Sequence, residues 1–264
     1  MPGVSARNDH GVLVPGVLDA DGARAIARWA RDIESWPAGS HIWGQYAEQT
    51  RRGPAICRTE NVSACHSGVA ALVAGPLREL ASRRLGEDAV AFKDKVNFKQ
   101  PGGAGFRPHQ DAVAYPGASR VVSLLVAIDE CTRESGCIWI ASGVDGELPV
   151  DDRGVVRADV CDTLTWEAAE LAPGDAVYID GFAPHYSDEN HTDAQRRVLV
   201  ASYSPAASGY GRAEYYARRA AVMHDATGRD GRFRISTLAD FAGTEVAADA
   251  TATDACTHRR VTEP

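Results

Sequence analysis

The chain has 264 residues, of which 44% are hydrophobic and 24% charged, and its formal net charge is −8 at pH 7. This length and balance suit a globular protein with one sizeable core. The acidic charge argues against a nucleic-acid partner, since such partners need a basic footprint, but it allows a small anionic ligand in a local basic pocket.

Two further features concern the location of the protein. The sequence has no run of about 18 apolar residues, so no membrane span is expected. No secretory leader is readable at the N-terminus, and the six cysteines include no Cys-x-x-Cys pair. We therefore expect reduced thiols in a cytoplasmic protein.

The first predicted element is a helix near the N-terminus. Asp19 is a candidate N-cap, and the apolar residues Ile26, Trp29, Ala30 and Ile33 follow at helical spacing. Such a stripe predicts a helix that packs on the outside of a larger body.

Short strands and a second helical region follow. Strands are predicted around 42–46 and 55–58, and helical spacing of apolar residues runs from 69 to 85. Pro76 should kink or restart this helix, and Gly86 should end it.

From residue 89 the pattern changes to short apolar or alternating segments between Gly, Pro and Asp turns. The predicted strands are 90–99, 121–128, 137–141, 176–179 and 198–203. This pattern indicates a mostly β fold with flanking helices, a double-stranded β-helix or jelly roll. A last helix is predicted over 212–223, a single domain over 1–241, and a disordered polar tail over 242–264.

One motif suggests a metal site. His109 and Asp111 are two residues apart, which on a strand places both side chains on one face. A further histidine would complete the two-histidine, one-carboxylate set that leaves open positions on iron(II). The pair alone is a weak signal, because a hydrated surface loop also explains it. The third ligand is either His185, directly after a predicted strand, or His191 in a polar loop. His185 is favoured, because the strand before it would hold it rigidly.

Two adjacent arginines open the strand at 198–203. Of Arg196 and Arg197, only one can point into a barrel, and the other should meet solvent. An inward guanidinium matches a carboxylate with two hydrogen bonds, which suits the far end of a keto-dicarboxylic acid. Ser187 could donate a hydroxyl hydrogen bond to the same carboxylate.

These residues together resemble the phytanoyl-CoA dioxygenase family of iron(II)/2-oxoglutarate oxygenases: His109, Asp111, His185, Ser187 and Arg196. The resemblance covers roughly residues 90–222. It implies a double-stranded β-helix with iron held by the two histidines and the aspartate. It also implies that Arg196 and Ser187 hold the far carboxylate of 2-oxoglutarate.

Within that family, two segments look closest to the aminoethylphosphonate hydroxylase branch. They are the stretch 92–106 and the later Ala213-Glu214-Tyr215-Tyr216-Ala217-Arg218. This finer resemblance implies a small aminoalkylphosphonate as the substrate.

The predicted strand 90–99 places four polar side chains on one face: Lys93, Lys95, Asn97 and Lys99. A solvated outer face is the ordinary explanation for lysines. If the face lines the barrel instead, it suits an anionic substrate or 2-oxoglutarate. We then expect Lys95 and Asn97 to contact 2-oxoglutarate and Lys93 to contact the substrate. Arg58 is a further candidate for substrate binding, either paired or exposed.

The sequence therefore predicts an enzyme that hydroxylates or otherwise oxidises a small molecule with iron(II), 2-oxoglutarate and O2. One alternative is a tailoring oxygenase of secondary metabolism acting on a substrate other than a phosphonate. Alternatives of other classes are a non-catalytic jelly-roll binding protein and a zinc hydrolase with the same triad. Arg196 discriminates against these last two, since neither needs a guanidinium placed for a dicarboxylate.

Overall fold

The structure is a computed structural model that describes residues 11–37, 42–144, 146–230, 235–236 and 238–246. The strands in these ranges are β1 (Gly11–Val14), β2 (Gly44–Thr50), β3 (Gly53–Glu60), β4 (Ala89–Lys99), β5 (Phe106–His109), β6 (Val122–Ala127), β7 (Ile138–Ala141), β8 (Trp166–Ala169), β9 (Ala176–Asp180), β10 (His185–Ser187), β11 (Arg196–Pro205) and β12 (Glu245–Val246). The α-helices are α1 (Ala20–Glu34), α2 (Ser67–Ala74), α3 (Pro76–Leu85), α4 (Ala158–Cys161) and α5 (Arg212–Asp230).

The strands form two antiparallel sheets. The larger sheet has the order β1-β9-β6-β11-β4-β3-β2-β12, and the smaller has the order β5-β10-β7-β8. The inner faces of both sheets share one apolar cluster, to which the larger sheet contributes Leu125, Val177 and Val200 and the smaller Ile140. This is the double-stranded β-helix that the sequence predicts.

The first three helices cover the outer face of the larger sheet. Ile26 of α1 and Leu77 of α3 are buried in one cluster with Leu199 of β11. The predicted cap of α1 is present, since the Asp19 carboxylate accepts a hydrogen bond from the backbone N–H of Gly22 at 2.8 Å. Burial of this apolar face holds the helices on the barrel.

The helical pattern over 69–85 corresponds to two helices. Pro76 opens α3 directly after Gly75, so it restarts the helix as predicted. Gly86 ends α3 in the left-handed region at φ 76°, which costs glycine little.

Several strands were not predicted, namely β1, β8, β10 and β12, and β5 was expected only as the strand that carries His109. Each is at most four residues long, too short for an alternating pattern to stand out. β12 pairs with β2, so ordered structure continues past residue 241, where the disordered tail was expected to begin. Residues 247–264 of that tail lie outside the described residues, and the single domain over 1–241 stays a prediction.

The described helices include none that is both long and apolar enough to cross a membrane. Cys57, Cys131, Cys137 and Cys161 are free thiols, as expected. The expectation of reduced thiols is wrong for Cys65, which is disulfide-bonded.

Candidate active site

The predicted metal ligands converge at one end of the barrel. Potential ligand atoms of His109, Asp111 and His185 lie within 4.8 Å of one another. His109 ends β5 and faces His185 of β10 in register, with ring centroids 4.2 Å apart. Asp111 lies just past β5 in a 3-10 turn, so the shared strand face expected for the pair is wrong. His191 is exposed and outside this group.

Backbone and side-chain acceptors orient both imidazoles. Nδ1 of His109 lies 2.7 Å from the Arg107 carbonyl oxygen and 3.1 Å from the Asp240 carboxylate. Nδ1 of His185 lies 2.9 Å from the Ala183 carbonyl oxygen. Since a nitrogen facing a carbonyl carries the proton, each Nε2 keeps its lone pair for a metal. Two imidazole nitrogens and one carboxylate oxygen fit iron(II) and leave positions open for other ligands.

The carboxylate of Asp111 is held as an anion. It accepts a hydrogen bond from the Ser123 hydroxyl at 3.1 Å, and Ser123 in turn lies 2.8 Å from the hydroxyl of Ser202. Burial tends to raise the pKa of Asp111, but the positive charge of His185 in its protonated form and that of Lys93 outweigh it and hold the pKa below its usual value. Burial lowers the pKa of His185 to about 4. Both groups therefore have the protonation state that binds metal.

Cations gather at the far end of the pocket. The buried guanidinium of Arg196 donates to the carbonyl oxygen of Gly136 at 2.5 Å. Lys99 lies opposite Arg196 across β4 and β11 and donates to the same carbonyl at 3.2 Å and to the Ser187 hydroxyl at 2.9 Å. Arg196 and Ser187 thus lie together as predicted, with Lys99 between them. Strand alternation placed Lys99 on the same face as Lys95 and Asn97, but no ligand was assigned to it from the sequence.

Arg197 has a different environment from its neighbour. Its guanidinium forms two hydrogen bonds of 2.7 Å each with the Asp129 carboxylate and another of 3.2 Å with the Ala27 carbonyl oxygen. The prediction that only one of the two arginines lines the pocket is right. The prediction that Arg197 meets solvent is wrong, because α1 and Asp129 cover it.

The polar face of β4 lines the pocket, so the solvated-face explanation is wrong for Lys93, Lys95, Asn97 and Lys99. The Lys93 ammonium donates to the Tyr115 hydroxyl at 2.8 Å. Lys95 is half-buried, and its ammonium makes no hydrogen bond or ion pair with any residue that the structure describes. An unpaired cation in a pocket is a site for an anionic ligand.

Arg58 is paired and buried, which settles the alternative left open by the sequence. Its guanidinium donates to the Asn97 side-chain oxygen at 3.1 Å and to the Ile235 carbonyl oxygen at 2.5 Å. It also stacks over the Phe106 ring at 5.2 Å from the centroid. Arg58 therefore forms part of the pocket wall.

A buried polar network behind the pocket was missed by the sequence analysis. The Glu60 carboxylate lies 3.0 Å from the Arg219 guanidinium and accepts a hydrogen bond of 2.7 Å from the Tyr215 hydroxyl. Burial tends to raise the pKa of Glu60, but the charges of Arg219 and Lys93 lower it to about 2. Tyr215 was noted only within the segment that resembles the aminoethylphosphonate hydroxylase branch, and Arg219 was given no role, yet helix α5 supplies both to this wall.

Together, this fold and this site define an iron(II)/2-oxoglutarate-dependent oxygenase. The jelly roll holds a two-histidine, one-carboxylate face, and a buried arginine lies at the other end of the same pocket. The profile of the phytanoyl-CoA dioxygenase (PhyH) family matches residues 8–198. The chain belongs to this family.

Two similar proteins have names that state an activity. Methylphosphonate hydroxylase of Gimesia maris is 35% identical over 237 residues, which cover 88% of this chain and 91% of that protein. A 2-aminoethylphosphonate dioxygenase from an uncultured bacterium is 33% identical over 216 residues, covering 79% of this chain and 82% of that protein.

Solved structures support the fold. EctD from S. alaskensis, solved with 2-oxoglutarate and 5-hydroxyectoine, superposes with a TM-score of 0.65 at 19% identity, covering 78% of this chain and 77% of that chain. The epimerase SnoN, solved with Fe3+ and alpha-ketoglutarate, superposes with a TM-score of 0.63 at 22% identity, covering 76% and 80%.

Proposed function

We propose that this dioxygenase hydroxylates a small phosphonate. Two relatives are named for methylphosphonate and 2-aminoethylphosphonate. The observation that carries the proposal is the Lys95 ammonium, which lines the pocket and has no hydrogen-bond partner among the described residues. A half-buried cation that lines a pocket without a partner favours an anionic ligand, and a phosphonate is one.

We assign the far carboxylate of 2-oxoglutarate to Arg196, with Ser187 and Lys99 beside it. Arginine suits this role because its planar fork can donate two parallel hydrogen bonds to one carboxylate. Asn97 lies two residues from Lys99 on the same strand face, and its amide nitrogen has no hydrogen bond within the described part of the chain. This free donor supports Asn97 as a further contact of 2-oxoglutarate.

Iron and 2-oxoglutarate supply the oxidation when bound: one atom of O2 enters a substrate C–H bond and the other enters succinate, as 2-oxoglutarate loses carbon dioxide. The chain contributes the open ligand set of His109, Asp111 and His185. It also contributes apolar walls, including Leu125 and Val200, which limit water around the reacting groups.

The proposal is tested with the full chain, iron(II), 2-oxoglutarate, ascorbate and a panel of substrates. The panel contains methylphosphonate, 2-aminoethylphosphonate, a carboxylate of similar size, and neutral and polycationic metabolites. We expect at least one phosphonate to raise succinate formation above the uncoupled rate and to give a hydroxylated product by 31P NMR. Stimulation only by a neutral or polycationic metabolite would instead establish the tailoring-oxygenase alternative.

Metal replacement separates the oxygenase from a zinc hydrolase. Iron(II) should support succinate formation, and zinc at the same triad should not. Asp111→Ala should lose both iron binding and turnover, whereas His191→Ala should keep both.

The aminoalkylphosphonate expected from the sequence is one member of the panel. The cytoplasmic location stays a prediction that cell fractionation tests.

A further inference from the structure

The cations of the pocket fall into two groups along β4. Lys99 and Arg196 face each other across β4 and β11 at one end, and the charge that most affects Lys99 is that of Arg196. Lys93 and Lys95 lie further along the same strand face. The charges that most affect Lys95 are those of Arg58 and Lys93. The pocket therefore offers two separate places for negative charge.

The second group has no free counter-ion in the described structure. Lys95 has no hydrogen bond or ion pair with a described residue, and Lys93 is bound to the neutral hydroxyl of Tyr115. Glu60 is the nearby carboxylate, but an arginine and a tyrosine already occupy it. Burial lowers the pKa of Lys95 well below its usual value, and the charges of Arg58 and Lys93 lower it further. A bound dianion would offset both effects.

Each carboxylate that lines the pocket already contacts another group of the chain through at least one oxygen. Among the described lining residues they are Glu48, Asp111 and Asp240. Asp111 belongs to the metal triad, and Asp240 lies against His109 at 3.1 Å. Glu48 is 2% exposed and accepts a backbone hydrogen bond from Ala104 at 2.9 Å. An ammonium group at the second group would therefore be repelled by its cations. The lining carboxylates already contact the metal triad, His109 or a backbone N–H, although Oδ1 of Asp240 has no hydrogen bond within the described part of the chain.

The wall beside Arg58 is apolar. Phe106 lies under the Arg58 guanidinium, and its ring centroid is 5.3 Å from that of Phe241. Leu238 and Ile235 line the same pocket. Such a wall accommodates an uncharged alkyl group better than a charged one.

We infer that the substrate is a small alkylphosphonate bound as its dianion, without an ammonium group, and that Lys95, Lys93 and Arg58 bind its phosphonate. The inference rests on the proposed function and narrows it. It replaces the aminoalkylphosphonate expected from the sequence, and it moves Lys95 from 2-oxoglutarate to the substrate. For methylphosphonate, the carbon gains one oxygen atom of O2 to give hydroxymethylphosphonate, while 2-oxoglutarate gives succinate and carbon dioxide.

The first test asks whether the substrate lacks an ammonium group. The full-length iron-loaded enzyme is assayed with methylphosphonate, ethylphosphonate and 2-aminoethylphosphonate. We expect kcat/KM for an alkylphosphonate to exceed that for 2-aminoethylphosphonate about tenfold or more, the effect of one unmatched charge. Equal or better turnover of 2-aminoethylphosphonate overturns this inference and leaves the proposed function standing. If no phosphonate stimulates succinate formation, the proposed function itself fails.

The second test asks whether Lys95 binds the phosphonate. It compares Lys95→Met with Lys99→Met, because both lysines lie on one face of β4. Lys95→Met should raise KM for the alkylphosphonate about tenfold, with a much smaller change in 2-oxoglutarate affinity measured anaerobically. Lys99→Met should weaken 2-oxoglutarate binding more than it raises KM for the alkylphosphonate. Circular dichroism melting confirms that both variants fold, and Lys95→Arg should recover part of the phosphonate affinity. If Lys95→Met weakens 2-oxoglutarate more than phosphonate, Lys95 belongs to the co-substrate and the subsite is wrong.

Discussion

The guanidinium of Arg196 and the ammonium of Lys99 both donate hydrogen bonds to one backbone oxygen, the carbonyl of Gly136. Burial lowers the pKa of both side chains, and for Lys99 the nearby Arg196 charge lowers it further. Lys99 also donates to the hydroxyl of Ser187, but neutral oxygens cannot balance two buried cations. The far carboxylate of 2-oxoglutarate would supply the missing negative charge.

Replacing Arg196 with alanine should weaken 2-oxoglutarate binding by about 1.5–3 kcal/mol, because a charge-assisted contact is lost. Anaerobic titration of the iron-loaded variant measures this directly. Arg197→Ala is the matched control: it breaks the Asp129 ion pair and should lower the melting temperature with little effect on 2-oxoglutarate. A larger loss of 2-oxoglutarate affinity in the Arg197 variant would contradict the assignment.

Gly136→Ala should damage the same end of the pocket. Gly136 has φ +71°, and an added Cβ would lie 2.5 Å from the Asp188 carbonyl oxygen and 3.0 Å from Nζ of Lys99. We expect a loss of stability of about 1–3 kcal/mol together with weaker 2-oxoglutarate binding. Gly143→Ala is the control, because Gly143 has φ +74° and no atom of the described residues lies within 4 Å of its Cβ position. Equal 2-oxoglutarate affinity in both variants would show that the contact with Lys99 is unimportant.

The sequence predicted the metal site better than its surroundings, for a physical reason. His109 and Asp111 are close in sequence, and His185 follows a strong strand pattern, so the candidate ligands could be picked out, and the resemblance to a known family joined them into one site. Glu60 and Arg219 are far apart in the chain and meet only through strand pairing and the docking of α5. The spacing of residues along the chain carries no information about which distant residues meet in the fold.

Asp240→Asn tests how the chain orients a metal ligand. The Asp240 carboxylate is 1% exposed and lies 3.1 Å from Nδ1 of His109. Removing its charge should make His109 a poorer ligand and weaken metal binding about 10–100-fold. Titration with cobalt(II), followed by its visible absorption, gives the affinity without turnover. Asp152→Asn at an exposed position should change nothing, and unaltered cobalt affinity in the Asp240 variant would rule out this positioning role.

Asp94 anchors helix α5 to the barrel. Its carboxylate is fully buried on β4, lies 2.6 Å from the Arg212 guanidinium, and accepts hydrogen bonds from the backbone and hydroxyl of Ser63 at 2.8 and 2.7 Å. Asp94→Ala removes the ion pair of Arg212, which keeps its hydrogen bonds to Asn61 and Ser63, and leaves the backbone N–H of Ser63 without its acceptor. The free energy of unfolding should therefore fall by about 1–3 kcal/mol.

Denaturant unfolding of the Asp94 variant measures this loss, with Asp21→Ala as the control. Asp21 pairs with Arg24 while its side chain is 88% exposed, and a surface pair of this kind contributes about 0–1 kcal/mol. Because Arg212 opens the helix that also carries Arg219, the Asp94 variant should lose activity at a lower temperature than the wild type. Similar unfolding energies for the two variants would mean that α5 is held mainly by its aromatic contacts, with Asp94 contributing little.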